Sequence, residues 1–404
     1  MKKYKLIIFT LLGLMLLAGC NDYINNIDPP NNWLEDSKLT TENQIDFMIN
    51  GILQQNSRTA PYVSALGDLL ADAMEFNSQN TTATFPSFRD INNGQIINSN
   101  ADVTNCYNNI EEVRYYADSL VQRVGQMQFT NDANRKKGLF YGYFYGALMR
   151  FYLGAYFGDP PTNSFGATIN NSPFIPQATL FNDAIDLFKL ALANAANTYD
   201  TKVTNTMIAK VYLCLKDYVN VFNYSQLGMV NGDAALQSLN SQVSSAWYWG
   251  FAGPGRPQLT VANRFYNYTV TDPKEALERI KLLSLTGRDG KKIYYQGMYD
   301  QRESPFTMLT WQENNLMQAE AILRGGGAGD ATSLVNAVRT SHKLDPLTTV
   351  VDLNIIYIER DKELFVRGSR MQDQYRFNLW NHLPAGRAGF LPIPLREING
   401  NPNY

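Results

Sequence analysis

Aromatic side chains between residues 247 and 268 are the groups of this 404-residue chain best suited to hold a ligand. Six of them share a setting rich in Gly and Pro: Trp247, Tyr248, Trp249, Phe251, Tyr266 and Tyr268. Trp and Tyr offer rigid apolar faces, on which the C–H face of a sugar ring can stack while polar neighbours bind its hydroxyls. Loops often carry such groups. The stretch predicts a ligand-binding surface, although any single aromatic residue more often fills a core. Phe85 and Phe88, in an earlier loop, are a second candidate set.

Catalytic and metal-binding patterns are missing from the sequence. The two histidines, His342 and His382, are far apart and have no metal-ligand spacing. The chain has no Gly-x-Ser-x-Gly, His-Glu-x-x-His or P-loop pattern. A carboxylate pair of the glycosidase type stays open, because Asp and Glu are plentiful, but helix caps and surface ion pairs account for most such residues. We therefore expect no enzymatic activity, no metal ion and no cofactor.

The amino terminus has the form of a secretion signal. Basic residues precede an apolar run over residues 6–17, which is too short for a bilayer span of about twenty residues. Ala18-Gly19-Cys20 then looks like the lipobox of bacterial lipoproteins, in which the cysteine receives diacylglycerol and becomes the first residue. An ordinary signal peptide is the alternative. We predict a signal peptide over residues 1–19, a lipid on Cys20 and a flexible polar tether over residues 20–39.

Composition narrows the possible partners. The formal net charge is −2 and no long basic block occurs, which argues against nucleic acid as a partner. After Cys20 only Cys106 and Cys214 remain, both within helical patterns. They could pair in an oxidising compartment, but two cysteines in a long chain do not make a disulfide framework, and buried free thiols are the favoured interpretation.

Helical periodicity dominates the chain, so helices must position the candidate binding residues. The first helix follows a capping box at residues 41–44. Further helices are predicted over residues 63–76, 103–128, 134–157, 179–197, 201–216, 219–229, 306–323, 330–342 and 352–366. The pair at 201–229 resembles a tetratricopeptide helix pair. We therefore predict a mostly α fold, a stack of antiparallel helix pairs forming a single domain over residues 40–404.

Three glycines in the helix predicted at 134–157 recur every four residues: Gly138, Gly142 and Gly146. Glycine costs about 0.8–1 kcal/mol at an interior helix position, so the stripe predicts close packing against a neighbouring helix. A membrane helix is the alternative, and the four basic residues between positions 135 and 150 argue against it.

Two segments interrupt the helices. Residues 77–100 are polar and turn-rich, which predicts a loop. Residues 232–305 form a larger insert that is rich in aromatics, Gly and Pro, and they predict loops and short helices. A small hairpin is expected around residues 288–291, because Asp289-Gly290 favours a tight turn.

The C-terminal third and the end of the 134–157 helix carry recognisable motifs. They are Tyr156-Phe157-Gly158-Asp159-Pro160-Pro161, Ala319-Glu320-Ala321, Asn336-Ala337-Val338-Arg339, Glu359-Arg360, the Gly368-to-Arg376 segment with Asp373, and Leu391-Pro392-Ile393-Pro394. Their types and order resemble the SusD/RagB family, the surface nutrient-binding lipoproteins of Bacteroidetes. Two positions depart from the family pattern: Arg367 replaces an acidic residue, and Thr310-Trp311-Gln312 replaces an arginine before Glu313.

The resemblance implies a SusD-like fold, in which tetratricopeptide-like helix pairs pack against a SusC-type TonB-dependent transporter. An irregular region would then face outward and capture ligand. Four charged residues within the motifs are interpreted as a buried ion network rather than a site: Glu359, Arg360, Asp373 and Arg376.

The expected function is that of a non-enzymatic lipoprotein on the outer face of the outer membrane. It would capture an oligosaccharide and deliver it to the transporter. An oligopeptide ligand is the alternative within the family. A surface glycan hydrolase and a helical-repeat scaffold without a small ligand are the rivals from other classes.

Overall fold

The computed structural model of the protein describes residues 38–238 and 246–404. The predicted signal peptide, Cys20 and the tether as far as residue 37 lie outside the described residues, and so does the side chain of Trp247. Among the described residues, no helix has both the length and the apolar character needed to cross a bilayer.

The first part of the chain is built from long helices with short strands between them. In chain order the elements are α1 (Ile45–Leu70), β1 (Met74–Glu75), α2 (Pro86–Asn92), α3 (Ala101–Val124), α4 (Asp132–Tyr156), β2 (Phe157–Asp159), β3 (Ser164–Ala167), β4 (Ile175–Pro176), α5 (Gln177–Ala193), α6 (Thr198–Leu215), α7 (Tyr218–Gln226) and β5 (Leu236–Ser238).

The second part begins with short elements and then returns to helices. Its elements are α8 (Ala246–Phe251), β6 (Thr260–Val261), α9 (Asn263–Thr271), α10 (Pro273–Glu278), β7 (Leu282–Thr286), β8 (Lys292–Gln296), β9 (Phe306–Leu309), α11 (Trp311–Leu323), α12 (Ala331–Ser341), α13 (Leu353–Glu363), α14 (Arg370–Arg376), β10 (Leu391–Pro392) and α15 (Leu395–Gly400). The predicted mostly α fold is confirmed.

Helices that follow one another in the chain pack against one another. Helix α3 packs on α1, α4 on α3, α5 on α4, α6 on α5, and α7 on α6. The stack continues from α7 to α11, which in turn contacts α12 and α13. This arrangement of neighbouring helix pairs is the one that the sequence periodicity predicted.

The glycine stripe lies where α4 meets α3. A Cβ atom added at Gly138 would stand 2.8 Å from Val124, and one added at Gly142 would stand 2.6 Å from Val121. At Gly146 the nearest atom would be an Asp118 carboxylate oxygen at 3.1 Å. The predicted close approach of a neighbouring helix is confirmed.

Helix α1 corrects the prediction of two separate helices in this region. It runs without a break through Pro61, although proline lacks the N–H that would bond to the carbonyl four residues earlier. The residues around Pro61 are buried, including Ala60, Tyr62 and Val63. Burial of this apolar surface outweighs a proline cost of about 3 kcal/mol. The predicted capping box before the helix is confirmed, with the Gln44 side-chain oxygen accepting the Thr41 N–H at 3.1 Å.

Two other local predictions are wrong in part. Residues 306–309 form strand β9 rather than the start of a helix, and they pair antiparallel with β5. Helix α11 begins only at Trp311, where the Thr310 hydroxyl accepts the Glu313 N–H at 3.2 Å. The loop predicted at 77–100 contains the short helix α2, which starts at Pro86, a residue whose fixed φ suits the first helical position.

The longest sheet joins distant parts of the chain in the order β10-β2-β3-β4. Strand β10 lies parallel to β2, while β2 and β3 are antiparallel. The residues beyond β10 add hydrogen bonds between the same distant parts of the chain. The Asn401 side chain donates to the Ser172 carbonyl at 2.6 Å, and the Tyr404 hydroxyl donates to the Asp159 carboxylate.

A buried ion network joins α11, α13 and α14. Arg360 donates to both oxygens of Asp373, at 2.8 and 2.9 Å. Arg376 donates to Asp373 at 2.7 Å and to Glu320 at 2.7 and 2.9 Å. All four side chains are at most 4% exposed. Burial removes these charged atoms from water, and the hydrogen bonds between the side chains give most of them a replacement partner.

Glu359 belongs to a second buried ion network. It accepts from Arg279 at 2.8 Å and from Arg339 at 2.7 Å, and Arg279 also bonds Glu275 at 2.7 Å. The structural interpretation of Glu359, Arg360, Asp373 and Arg376 is therefore confirmed by their geometry.

Both described cysteines are free thiols. Cys106 is buried and Cys214 is partly buried, and they do not form a disulfide. Burial raises the pKa of both thiols, which favours their protonated form.

Candidate ligand-binding surface

Three irregular segments converge beside β1 and β6. The Asn80 side chain donates to the Pro257 carbonyl at 2.6 Å, and the Thr84 N–H donates to the Gln258 side chain at 2.8 Å. The tip of the hairpin between β7 and β8 joins them, since Arg288 donates its N–H to the Gln79 carbonyl at 2.9 Å. These bonds fix loops 77–85 and 252–259 and the hairpin tip as one unit. The predicted hairpin at 288–291 is confirmed.

Phe251 brings the two candidate aromatic sets together. Its ring centroid lies 5.8 Å from that of Phe85 and 5.9 Å from that of Phe88, and the latter two are 5.6 Å apart. Phe88 is fully buried, whereas Phe85 and Phe251 are partly buried. The cluster attaches α8 to the first loop, and it leaves part of the Phe85 ring available to solvent.

Tyr248 lies in the core. It is 0% exposed, stacks on Phe306 with ring centroids 5.6 Å apart, and donates its hydroxyl to the Val366 carbonyl at 3.0 Å. Burial raises the pKa of its phenol well above the usual value. Tyr248 therefore holds α8 in place and has no surface with which to contact a ligand in this conformation.

Trp249, the next residue, is partly exposed. Its indole lies directly against Gly255, where an added Cβ atom would come within 2.8 Å of two ring carbons. The Gly255 N–H also donates to the Trp249 carbonyl at 2.9 Å. The guanidinium carbon of Arg302 stands 5.7 Å from the ring centroid. The indole is thus held on a glycine and flanked by a cation.

Arg256 forms a matching pair with Phe85. Its guanidinium carbon lies 5.4 Å from the Phe85 ring centroid, and its Nη2 donates to the Thr84 hydroxyl at 2.9 Å. Arg256 and Arg302 are both exposed. We call Phe85, Trp249, Arg256 and Arg302 the Phe85–Trp249 surface. Sequence reasoning missed both arginines, and their place in the same Gly- and Pro-rich segments as the aromatics was the available signal.

Tyr266 forms a stacked pair with Tyr294 of β8. The ring centroids are 4.2 Å apart and the planes differ by 13°. A hydrogen bond with the Tyr266 hydroxyl raises the pKa of Tyr294. Both side chains are partly exposed. Tyr294 was not a predicted site residue, although it lies in the aromatic insert, because its partner on α9 could not be inferred from spacing alone.

Tyr268 has a structural position. Its hydroxyl donates to Asp361 at 3.1 Å, and Asp361 also accepts from Arg264 at 2.8 Å. The ammonium of Lys362 lies 5.0 Å from the Tyr268 ring centroid. Burial raises the pKa of the Tyr268 phenol, and Asp361 adds to the effect. The structure therefore separates the predicted site residues. Trp249, Phe251 and Tyr266 are partly exposed, whereas Tyr248 is buried. Tyr268 is also partly exposed, but its hydroxyl is engaged by Asp361.

No group of three or more His, Cys, Asp or Glu side chains among the described residues is arranged to hold a metal ion. The described histidine, His342, instead places Nε2 2.9 Å from a carboxylate oxygen of Glu363, at the edge of the second ion network.

Comparison with known proteins places the fold. No protein-family model and no curated protein matches the sequence. Among solved structures, a SusD superfamily protein from Bacteroides thetaiotaomicron is 17% identical with a TM-score of 0.74, over 90% of this chain and 98% of that one. A SusD superfamily protein from Bacteroides vulgatus is 13% identical with a TM-score of 0.69, over 90% and 97%.

A third neighbour has been solved with a ligand. It is surface glycan-binding protein A from B. thetaiotaomicron in complex with laminarihexaose, which is 15% identical with a TM-score of 0.65, over 90% of this chain and 98% of that one. These matches extend over the helix stack and the irregular segments together. The resemblance seen in the sequence motifs is therefore confirmed at the level of architecture, and this chain has the SusD fold.

Proposed function

We propose that this protein is a cell-surface, glycan-binding lipoprotein that captures an oligosaccharide without turning it over. The observation that carries the proposal is the partly exposed indole of Trp249, which Gly255 supports and Arg302 flanks. In our proposal the Phe85–Trp249 surface and the Tyr266–Tyr294 pair contact the ligand.

The geometry suits sugar rings for two reasons. The indole and the Phe85 ring are already fixed by packing, so little side-chain entropy is lost when a ligand stacks on them. The arginines beside them are donors that can reach ring hydroxyls. Their two positive charges also favour a ligand that carries carboxylates, so acidic oligosaccharides should bind more tightly than neutral ones of equal length. A peptide carboxylate would meet the same charges, which keeps an oligopeptide as the second candidate.

Structural neighbours support the ligand class. One of them is solved with laminarihexaose, and another, 15% identical with a TM-score of 0.66, is a laminarin-binding SusD-like protein. Their fold is shared here over 90% of the chain.

A calorimetric titration tests the proposal. Purified protein in detergent is titrated with neutral oligosaccharides including laminarihexaose, with acidic oligosaccharides and with oligopeptides. Removing one stacking ring is worth about 0.5–1.5 kcal/mol, so we expect Trp249→Ala to weaken binding several-fold to about tenfold. Tyr115→Ala is the matched control, because Tyr115 is an exposed aromatic residue on α3, 58% exposed, that lies outside the proposed surface.

Three results would contradict the proposal. Binding to no oligosaccharide would favour the scaffold alternative. Binding to peptides alone would transfer the surface to the oligopeptide alternative. Cleavage of a glycan that a single carboxylate substitution abolishes would make the protein a hydrolase.

We further propose that Cys20 carries the lipid anchor and that the protein faces outward from the outer membrane, where it delivers ligand to a SusC-like TonB-dependent transporter. The lipobox-like Ala18-Gly19-Cys20 supports the anchor, and the SusD fold supports the partner. Metabolic labelling with palmitate should mark the wild type and not Cys20→Ser. Protease treatment of intact cells should degrade the protein, and a transporter should co-purify with it. Unlabelled wild type, or full protection in intact cells, would refute this arrangement.

A further inference from the structure

A partly open cavity of about 260 Å³ lies between α1, α4, α6 and β5. It shares no lining residue with the Phe85–Trp249 surface or the Tyr266–Tyr294 pair. We call it the helix cavity. A volume of this size has room for one sugar ring.

One wall of the helix cavity consists of two rows of aromatic rings on α4. Phe140 stacks on Phe144 with centroids 5.7 Å apart, and Tyr141 stacks on Tyr145 with centroids 6.2 Å apart and planes within 9°. Each row has the four-residue spacing that places side chains one above the other on a helix face. The two rows are tilted against each other, with planes 86° apart at Phe140 and Tyr141 and 70° apart at Phe144 and Tyr145. They give a rigid, largely apolar wall to which the tyrosines add phenol hydroxyls.

Two buried polar side chains line the same cavity without partners. Asn56 is 1% exposed and Ser238 is 2% exposed. Within the described part of the chain, Asn56 Oδ1 and Ser238 Oγ accept or donate no hydrogen bond, and the Asn56 Nδ2 reaches only the Met308 sulfur at 3.5 Å. An amide can rotate to present either end, so one polar end lacks a partner in both orientations.

Such groups are costly unless something binds them. A buried polar atom without a partner costs about 1–3 kcal/mol, and buried amides and hydroxyls are normally satisfied by protein or by a bound molecule. Two unsatisfied groups beside one cavity indicate that the cavity is built to hold a polar occupant.

The charges around the helix cavity limit what the occupant can be. Among the described lining residues Asp200 is the one carboxylate, and it accepts from the Asn197 side chain at 2.8 Å. The described lining includes no Lys or Arg. An anion would therefore be repelled and would find no counter-charge, whereas a neutral polyhydroxyl ring meets donors, acceptors and an apolar face.

We propose that the helix cavity binds a single neutral monosaccharide. The C–H face of the sugar packs on the α4 rings, and its hydroxyls hydrogen-bond to Asn56 and Ser238. This is a second site, separate from the oligosaccharide surface, and it does not rest on the function proposed for that surface.

Methyl NMR of the methionines tests this site directly, because Met308 touches Asn56. The protein with ¹³C-methyl methionine is titrated with D-glucose, D-galactose, D-mannose and N-acetyl-D-glucosamine, and the Met308 signal is assigned with Met308→Leu. At least one sugar should shift that signal saturably. Ser238→Ala and Tyr145→Phe, which each remove a single oxygen, should weaken this binding about threefold to tenfold, and Asn56→Ala should weaken it at least tenfold.

Two controls separate the helix cavity from other effects. Asn205→Ala changes another buried asparagine, 3% exposed, whose Oδ1 also lacks a partner in the described structure but which does not line the cavity, so sugar binding should persist. Trp249→Ala should also leave the Met308 shift intact, even though it weakens oligosaccharide binding.

The proposal is overturned if none of the four sugars moves the Met308 signal, since the cavity then holds only water. It is also overturned if both single-oxygen variants bind the sugar as the wild type does. Neither result contradicts oligosaccharide binding at the surface. Failure of oligosaccharide binding would likewise not change the Met308 test, so failure of one proposal can be distinguished from failure of the other.

Discussion

The buried ion network and the Phe85–Trp249 surface use arginines in opposite ways. In the network Arg360 and Arg376 are 2% exposed and each makes two-point bonds to carboxylates between helices. At the surface Arg256 and Arg302 are exposed and lie beside aromatic rings. Removing a network residue leaves a charge buried without a partner, whereas removing a surface residue leaves a loop that its backbone bonds still hold. The difference teaches that this fold can keep its frame while the residues of its proposed ligand surface change.

Tyr248 and Trp249 show the same contrast at neighbouring positions. The first fills the core, and the second is partly exposed and lies against Gly255. The following predictions test this division between frame and surface.

The largest effect is expected when the network loses a carboxylate. Asp373→Ala removes the partner of Arg360 and one partner of Arg376, so the free energy of unfolding should fall by about 3–5 kcal/mol. Urea unfolding followed by circular dichroism measures this loss. Lys343→Ala breaks an exposed pair with Glu278 at 3.1 Å and should change stability little. Equal effects of the two variants would show that the network is no part of the frame.

Tyr248→Ala and Trp249→Ala should separate stability from binding. Truncating the buried ring of Tyr248 should cost about 3–5 kcal/mol, because a core cavity replaces it. Trp249→Ala should cost less than half as much while weakening oligosaccharide binding. Thermal unfolding and calorimetry on both variants give the two numbers. A greater loss of stability at Trp249 than at Tyr248 would reverse the assignment of core and surface.

Glycine substitutions in two helices should change stability in opposite directions. Gly142→Ala puts a methyl group 2.6 Å from Val121 and 3.0 Å from the Ala117 carbonyl, so overpacking should lower stability by about 1–3 kcal/mol. Gly51→Ala in α1 meets nothing within 4 Å and should raise stability by roughly 0.5–1 kcal/mol through helix propensity. Denaturation midpoints of the two variants provide the test, and stabilisation by Gly142→Ala would mean that α3 and α4 are farther apart than described.

The smallest step concerns the pH dependence of stability at one carboxyl group. Burial raises the pKa of Asp68 to about 8, against the opposing effect of the Gly368 N–H that it accepts at 3.0 Å. The folded state therefore holds a proton that the unfolded state has released, so this group's contribution to stability is present below about pH 4 and is lost as the pH rises to about 8. The slope is at most about 1.4 kcal/mol per pH unit.

Asp68→Asn should flatten the stability profile between pH 4 and pH 8. Asp373 is the natural comparison. Burial by itself would raise the pKa of this carboxyl group, but Arg360 and Arg376 hold it at about 2. Its contribution is present above about pH 4 and is lost as the pH falls through 2, which is the reverse sign. A wild-type profile that stays flat from pH 4 to pH 8, with no difference in Asp68→Asn, would contradict the assignment for Asp68.

The helix stack was largely predictable because local rules agree with the tertiary fold there. Apolar periodicity gave most helices, and the four-residue spacing of Gly138, Gly142 and Gly146 gave the close contact with α3. The exceptions arise where packing overrides a local rule. Pro61 continues a buried helix, and residues 306–309 extend as a strand because β5 offers hydrogen-bond partners from a distant segment.

The candidate surface was only partly predictable. Composition indicates a segment rich in aromatic residues, but it does not indicate which of their side chains are exposed. Tyr248 and Trp249 are adjacent and chemically alike, and only the positions of Phe306 and Gly255 separate their roles. The arginines that complete the surface come from loops that meet through side-chain-to-backbone bonds between distant positions, and one sequence carries no trace of those contacts.

The pairing of β10 with β2 has a consequence for the order in which this protein can mature. The Tyr404–Asp159 contact that seals this sheet joins positions 245 residues apart, so it belongs to the slowest class of contacts to form. While the protein folds, β2 keeps an unpaired edge until residues 391–392 join it, and in that interval the edge is a template for pairing with other chains. Loss of segment 391–404 would therefore leave this edge of β2 without its partner and open to aggregation.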